Sequence, residues 1–140
     1  MLTRRCWLLG VGAFAIGLSS CAPSETRVPT FPVSGTIMDG KKPLVNATVV
    51  FHPVSGLGGD AVRPRGRTDE QGQFTLTTYD GNDGAPVGEY TITVEQYLAG
   101  RPDEGPRNRL PAKYAKHETS GLRATIQAAP NELTPFELKK

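Results

Sequence analysis

A chain of 140 residues has room for one modest domain, and a formal charge of +2 gives no basic excess of the kind that nucleic acid attracts. The charge is also local: Arg4 and Arg5 sit in the first segment, and the remaining 14 basic residues equal the 14 acidic ones. Two cysteines cannot build a disulfide framework, and 16 glycines and 12 prolines with β-branched residues between them point to strands and turns.

In chain order, Arg4 and Arg5 open a positive n-region, and Cys6 to Leu18 form an uncharged apolar run. Leu18-Ser19-Ser20-Cys21 then supplies small residues with cysteine at the end. This is the layout of a secretory signal peptide. The run is shorter than the about 20 apolar residues of a membrane span and is rich in Gly, Ala and Ser, which favours a cleaved segment over a retained helix. The tetrad resembles the lipobox of bacterial lipoproteins. That resemblance implies recognition of Leu18, Ser19 and Ser20 by a signal peptidase, S-diacylation of Cys21, and acylation of the new amino terminus. Cys6 lies in the removed segment, so Cys21 is expected to be the sole mature cysteine. Two or three acyl chains, at about 0.8 kcal/mol per buried CH₂, anchor stably where one is marginal. The Arg4-Arg5 pair also resembles a twin-arginine export signal, which leaves the export route open. Ala22 in place of Asp resembles the outer-membrane sorting pattern of Gram-negative bacteria. The expected location is the outer membrane facing the periplasm, with the cell surface as the alternative.

Residues 21–30 read as the acylated cysteine and a polar, proline-containing tether. Residues 31–140 read as the domain. Pro32 to Met38 is a first strand with Val33 and Ile37 on one face, and Asp39-Gly40 is a tight-turn signal. Leu44 to His52 is the strongest strand, with Val45, Ala47, Val49 and Phe51 inward, and Pro53 ends it. Residues 54–65 read as a loop. Thr68 to Gln73 is a turn in which Gly72 takes positive φ cheaply. Phe74 to Thr78 follows with Phe74 and Leu76 inward, then Glu89 to Glu95 with Tyr90, Ile92 and Val94 inward. Residues 99–113 form a long surface excursion. Leu122 to Ala128 and Leu133 to Leu138 complete the set. The expected fold is all-β: a single antiparallel β-sandwich of about seven strands.

Val33-Ser34-Gly35-Thr36-Ile37, Asp39-Gly40-Lys41-Lys42-Pro43-Leu44 and Asn46 to Phe51, with Thr68 to Phe74 and Gly88 to Val94, resemble carboxypeptidase regulatory-like domains. Asp83 to Pro86, Leu110 to Tyr114 and Glu118 to Leu122 are similar to a lipoprotein group of planctomycete-type bacteria. The resemblance covers residues 31–139 and implies a transthyretin-like or Ig-like Greek-key sandwich, acting as an accessory module without activity of its own. The related branch that hydrolyses 5-hydroxyisourate ends in a Tyr-Arg-Gly-Ser type tail. This chain ends Phe136-Glu137-Leu138-Lys139-Lys140.

The side-chain chemistry is sparse. His52 and His117 are isolated in sequence, His52 reads as solvent-facing at a strand end, and a zinc site needs three or four ligands. No Gly-x-Ser-x-Gly elbow marks a nucleophile. Asp80, Asn82 and Asp83 are candidate calcium ligands, although position twelve counted from Asp80 is Thr91, and Asx-Gly turns explain the same residues. Arg63, Arg65 and Arg67 with Arg101, Arg107 and Arg109 are loop arginines that could meet an anionic glycan or lipid head group. Asn46-Ala47-Thr48 matches a glycosylation pattern inside a predicted strand. No catalytic set, metal or cofactor is expected. The leading expectation is a non-catalytic envelope domain held by lipid on Cys21, with a structural or protein-interaction role. A carbohydrate- or peptide-binding module is the alternative, using Thr75, Thr77, Thr91 and Thr93 as exposed strand faces and Tyr79, Tyr97 and Tyr114 as aromatic platforms.

Overall fold

The computed structural model describes residues 26–55 and 62–139. Leu18, Ser19, Ser20 and Cys21, with the rest of the signal segment, lie outside the described residues. Within them the chain is an all-β sandwich carrying one short 3-10 turn, Ala112–Ala115. Among the described residues no helix is long and apolar enough to cross a membrane. The strands are β1 Val33–Asp39, β2 Lys42–Pro43, β3 Thr48–Pro53, β4 Arg65–Arg67, β5 Gln73–Thr75 and β6 Gly88–Glu95. They continue as β7 Tyr97–Leu98, β8 Arg107–Asn108, β9 Leu122–Ile126, β10 Asn131–Glu132 and β11 Phe136–Leu138.

One sheet is built around β1, and the other runs β4-β3-β6-β9, antiparallel throughout. The β1 sheet is mixed. β2 and β5 pair with β1 antiparallel, whereas β10 and β11 lie parallel to it. The antiparallel expectation holds for the second sheet and is corrected in this one: after β9 the chain crosses to the β1 sheet, where β10 and β11 pair along β1 in its own direction. The predicted last strand, 133–138, is shortened to β11, and β10 is an additional short strand just before it. At the opposite side the sheets join: Arg65 N–H donates to Thr77 O (3.0 Å) and Thr77 N–H to Arg65 O (2.8 Å).

Alternation explains the core. Val33 and Ile37 of β1, Val49 and Phe51 of β3, Phe74 of β5, and Tyr90, Ile92 and Val94 of β6 are all buried between the sheets. Phe51 is the centre of an aromatic group, with ring centroids 6.2 Å from Phe74 and 5.8 Å from Tyr90 in tilted geometry, a favourable arrangement for π faces and edges.

Three local expectations are corrected. The strand predicted from Leu44 starts only at Thr48. Asn46 takes φ 60°, which breaks extension and leaves Val45 38% exposed. The Asn46-Ala47-Thr48 pattern therefore begins in a turn. Arg65–Arg67, expected in a loop, form β4, and Gly66 makes this possible: a Cβ there would lie 2.5 Å from Thr75 O. A single glycine between arginines carries no alternating apolar signal, so pattern reading misses this strand. Gly72 does take positive φ, 73°, in the predicted turn.

Candidate functional site

The chain joins the fold at the loop between β5 and β6. Phe31 and Ala85 exchange backbone hydrogen bonds of 2.9 Å, and Arg27 pairs with Asp80 at 2.8 Å while lying 5.3 Å over the Tyr79 ring. Tyr79 is therefore partly occupied, its hydroxyl also accepting from Val28 N–H at 3.2 Å. β6 starts just after this loop and rises eight residues, roughly 25 Å at about 3.3 Å per residue, to the β7–β8 hairpin. The hairpin is thus at the far end from the N-terminal tether. It presents Tyr97, 51% exposed, and Leu98, 48% exposed. A hydrogen bond to the Glu95 carboxylate holds the Tyr97 pKa above its ordinary value.

The residues considered for calcium are held by the loop itself. Asp83 Oδ1 accepts from Thr78 N–H (2.6 Å), and Oδ2 accepts from Tyr79 N–H (2.9 Å) and Asp80 N–H (3.1 Å). Partial burial pushes the Asp83 pKa up, but the backbone N–H groups of Thr78, Tyr79, Asp80 and Asp83 outweigh it and hold the group below the usual carboxylate value. Asn82 takes φ 61°, and its N–H donates to Thr77 Oγ1. These contacts form a side-chain-capped turn. Beneath it Tyr90 donates to Pro86 O at 2.8 Å, and burial, with Tyr79 nearby, pushes its pKa up to about 12.

The two histidines are brought together although 65 positions separate them in sequence. Their rings stack with centroids 5.2 Å apart and an interplanar angle of 27°. His52 Nε2 and Thr93 Oγ1 share a hydrogen bond of 2.9 Å, and His117 Nε2 lies 3.0 Å from Glu118 Oε1. Burial lowers the His52 pKa first, His117 and Arg63 lower it further, and Glu118 opposes them. The imidazole is therefore neutral at neutral pH. His52 is thus half-buried instead of solvent-facing, and Thr93, expected on an exposed face, is 5% exposed. Thr91 and Thr77 are half-buried, and Thr75 alone of the four is exposed.

The cause is the stretch read as a surface excursion. Its 3-10 turn packs against β6, and Leu110 and Tyr114 enter the core. Tyr114 is 4% exposed, which corrects its assignment as an open aromatic platform. Its hydroxyl donates to Lys139 O (2.9 Å) and accepts from Lys139 N–H (2.7 Å), reaching across to the end of β11. No sequence signal announced the His52–Thr93–His117 group, because its members meet only when residues 110–121 close over β6.

A hydroxyl hydrogen-bonded to an imidazole has the spacing of a nucleophile and its base. Thr93 is buried, and the pair lies under the stacked His117 ring of the 110–121 segment. Among the described residues no group of three or more His, Cys, Asp or Glu side chains converges for a metal ion. Of the arginines, Arg65 and Arg67 lie on β4, while Arg107, on β8, pairs with Glu104 at 3.1 Å.

No protein-family model and no curated protein matches the chain. Among solved structures, a 9R-lipoxygenase from Cyanothece PCC8801 is similar over 86% of this chain, at 17% identity and a TM-score of 0.40. The chain spans 18% of the length of that lipoxygenase.

Proposed function

We propose that the protein is a lipid-anchored envelope domain that works by binding, with no catalytic role, and that Cys21 carries the anchor. The reading rests on the lipobox-like Leu18-Ser19-Ser20-Cys21 followed by a polar tether. One structural observation carries it further: the tether joins the sandwich at the Tyr79–Ala85 loop, and the β7–β8 hairpin stands at the other end of β6. A domain held at one end and displaying Tyr97 and Leu98 at the other is arranged for presentation to a partner beyond the membrane surface. The resemblance of residues 31–139 to carboxypeptidase regulatory-like accessory domains supports the same reading, as does the engagement of the histidines and of Asp83 in internal contacts.

Metabolic labelling with a radiolabelled fatty acid tests the anchor. Label is expected on the wild-type chain and absent from Cys21→Ser, which should also leave the membrane fraction. Labelling that persists in Cys21→Ser removes the anchor. Photo-crosslinking from a reactive group at Tyr97 in intact cells tests the presentation. A partner captured from Tyr97 and lost from a site beside Asp80 is the expected result, and equal capture from both sites refutes it.

A further inference from the structure

The two outward faces of the sandwich differ. On the face of β3 and β6 the central outward side chains are covered: His52 and Thr93 bond each other, and His117 stacks on His52. On the β1 sheet the outward row is bare. Strand register places Thr75, Ser34 and Glu132 side by side across β5, β1 and β10, with Gln73 beside Thr36 in the next row. All five are polar, and none of their side chains has a hydrogen bond or ion pair to another described residue.

This row is the floor of a concavity. A cavity of about 270 Å³ lies over Ser34, Thr36 and Gln73, with Asp69 at one side and Leu133 and Pro135 at the other. A second, of about 310 Å³, continues past Pro32 and Pro130 and shares Ser34, Thr75 and Glu132 with the first. Each is near the lower end of small-molecule sites, roughly 300–1,000 Å³, and together they form one groove crossing the strands. Asp69 is partly committed, its Oδ1 accepting from the Gln71 and Gln73 N–H groups. The Glu132 carboxylate is free to accept.

From this geometry we infer that the groove binds a neutral, hydroxyl-rich saccharide chain. The lining decides the chemistry. Three hydroxyls donate and accept, the Gln73 amide does both, and the Glu132 carboxylate accepts from paired hydroxyls with charge-assisted strength. The exposed Pro32, Pro130 and Pro135 at the rims offer the apolar contact that the C–H faces of a sugar ring require. No lysine or arginine lines either cavity, so phosphate, sulfate and uronate groups have no counter-charge there. The inference rests on the binding role proposed above and is independent of the anchor on Cys21.

The test is an amide NMR titration of the full chain in a zwitterionic detergent that carries no sugar. Chitotetraose, cellotetraose and maltotetraose are added separately at millimolar concentration. At least one should shift amides 34–36, 73–75 and 131–133, and leave 93 and 114–118 in place. Glu132→Gln should weaken that binding roughly tenfold, the loss of one charge-assisted bond, and Thr36→Val should weaken it with an unchanged melting temperature. Both positions are exposed or half-buried, so neither substitution disturbs the core. No shift with any of the three saccharides overturns the inference. So do shifts confined to other strands, or a response to tetralysine alone, which would make the groove a site for cationic peptide. Loss of acyl labelling with retained saccharide binding, or the reverse, separates this site from the anchor.

Discussion

Tyr114→Phe isolates the clamp between the 110–121 segment and β11. The ring stays and fills the same volume, so only the two hydrogen bonds to Lys139, at 2.9 and 2.7 Å, are removed. Each is worth roughly 0.5–1.5 kcal/mol net. Lys139 is exposed, so water can re-pair its backbone, which places the loss at about 1–2 kcal/mol. For a domain of this size about 4 °C of melting temperature follows each kcal/mol, so a fall of about 4–8 °C is expected by circular dichroism. Hydrogen exchange should localise the effect. β11 is held by a three-residue parallel pairing with β1, and the amides of 136–138 should lose protection before those of β3 and β6. Tyr114→Ala empties a core position as well and should cost more, about 3–5 kcal/mol. A melting temperature within about 1 °C of wild type for Tyr114→Phe, with protection at 136–138 unchanged, would refute the reasoning. It would restore Tyr114 to the exposed aromatic platform that its sequence context suggested.

Two further perturbations use the titrating groups. Because burial, then His117 and Arg63, hold the His52 pKa below 6.5, the unfolded chain takes up that proton at higher pH than the folded one. Stability should therefore be full above about pH 6.5 and decline as pH falls toward the folded value, flattening below it. Urea unfolding across pH 5 to 8 should show a smaller decline in His52→Gln, and equal slopes would count against the assignment. Asp83 is shifted below 3.8, so its contribution is present above that pH and lost as the pH falls through the folded value. Asp83→Asn should cost about 1–3 kcal/mol at neutral pH by leaving loop N–H groups short of acceptors. Calcium chloride should leave the wild-type melting temperature unmoved, since both carboxylate oxygens are engaged. A rise on calcium addition, abolished in Asp83→Asn, would reinstate the ion site.

The fold was legible where one face alternates over five or more residues. β1, the later part of β3, β6 and β9 each have their apolar positions on the side the pattern gives, and the turn at Gly72 follows from glycine's access to positive φ. What pattern could not supply is whatever depends on a partner distant in sequence. β4 is a strand because Gly66 lets it approach the Thr75 backbone, and β10 is a strand through its pairing with β1. The threonines of β5 and β6 look alike in sequence. Thr93 is buried and Thr75 exposed because residues 110–121 fold over one sheet alone. The histidine pair was illegible for the same reason, and so was the groove, whose floor requires the parallel pairing that sets Glu132 beside Ser34.

The placement of the groove ties it to the proposed anchor. Its floor uses the first half of β1, beginning only a few residues after Phe31, where the tether is pinned to Ala85. Residues 22–30 between Cys21 and that point can extend to about 30 Å at most. If Cys21 carries the proposed anchor, so short a leash would keep the groove within a small-domain diameter of the lipid surface, while the β7–β8 hairpin would be carried roughly 25 Å further out along β6. The two surfaces would therefore sample different layers. Under that proposal a saccharide reached by the groove would belong to glycan lying close against the membrane, and the tether would raise its local concentration without any gain in intrinsic affinity.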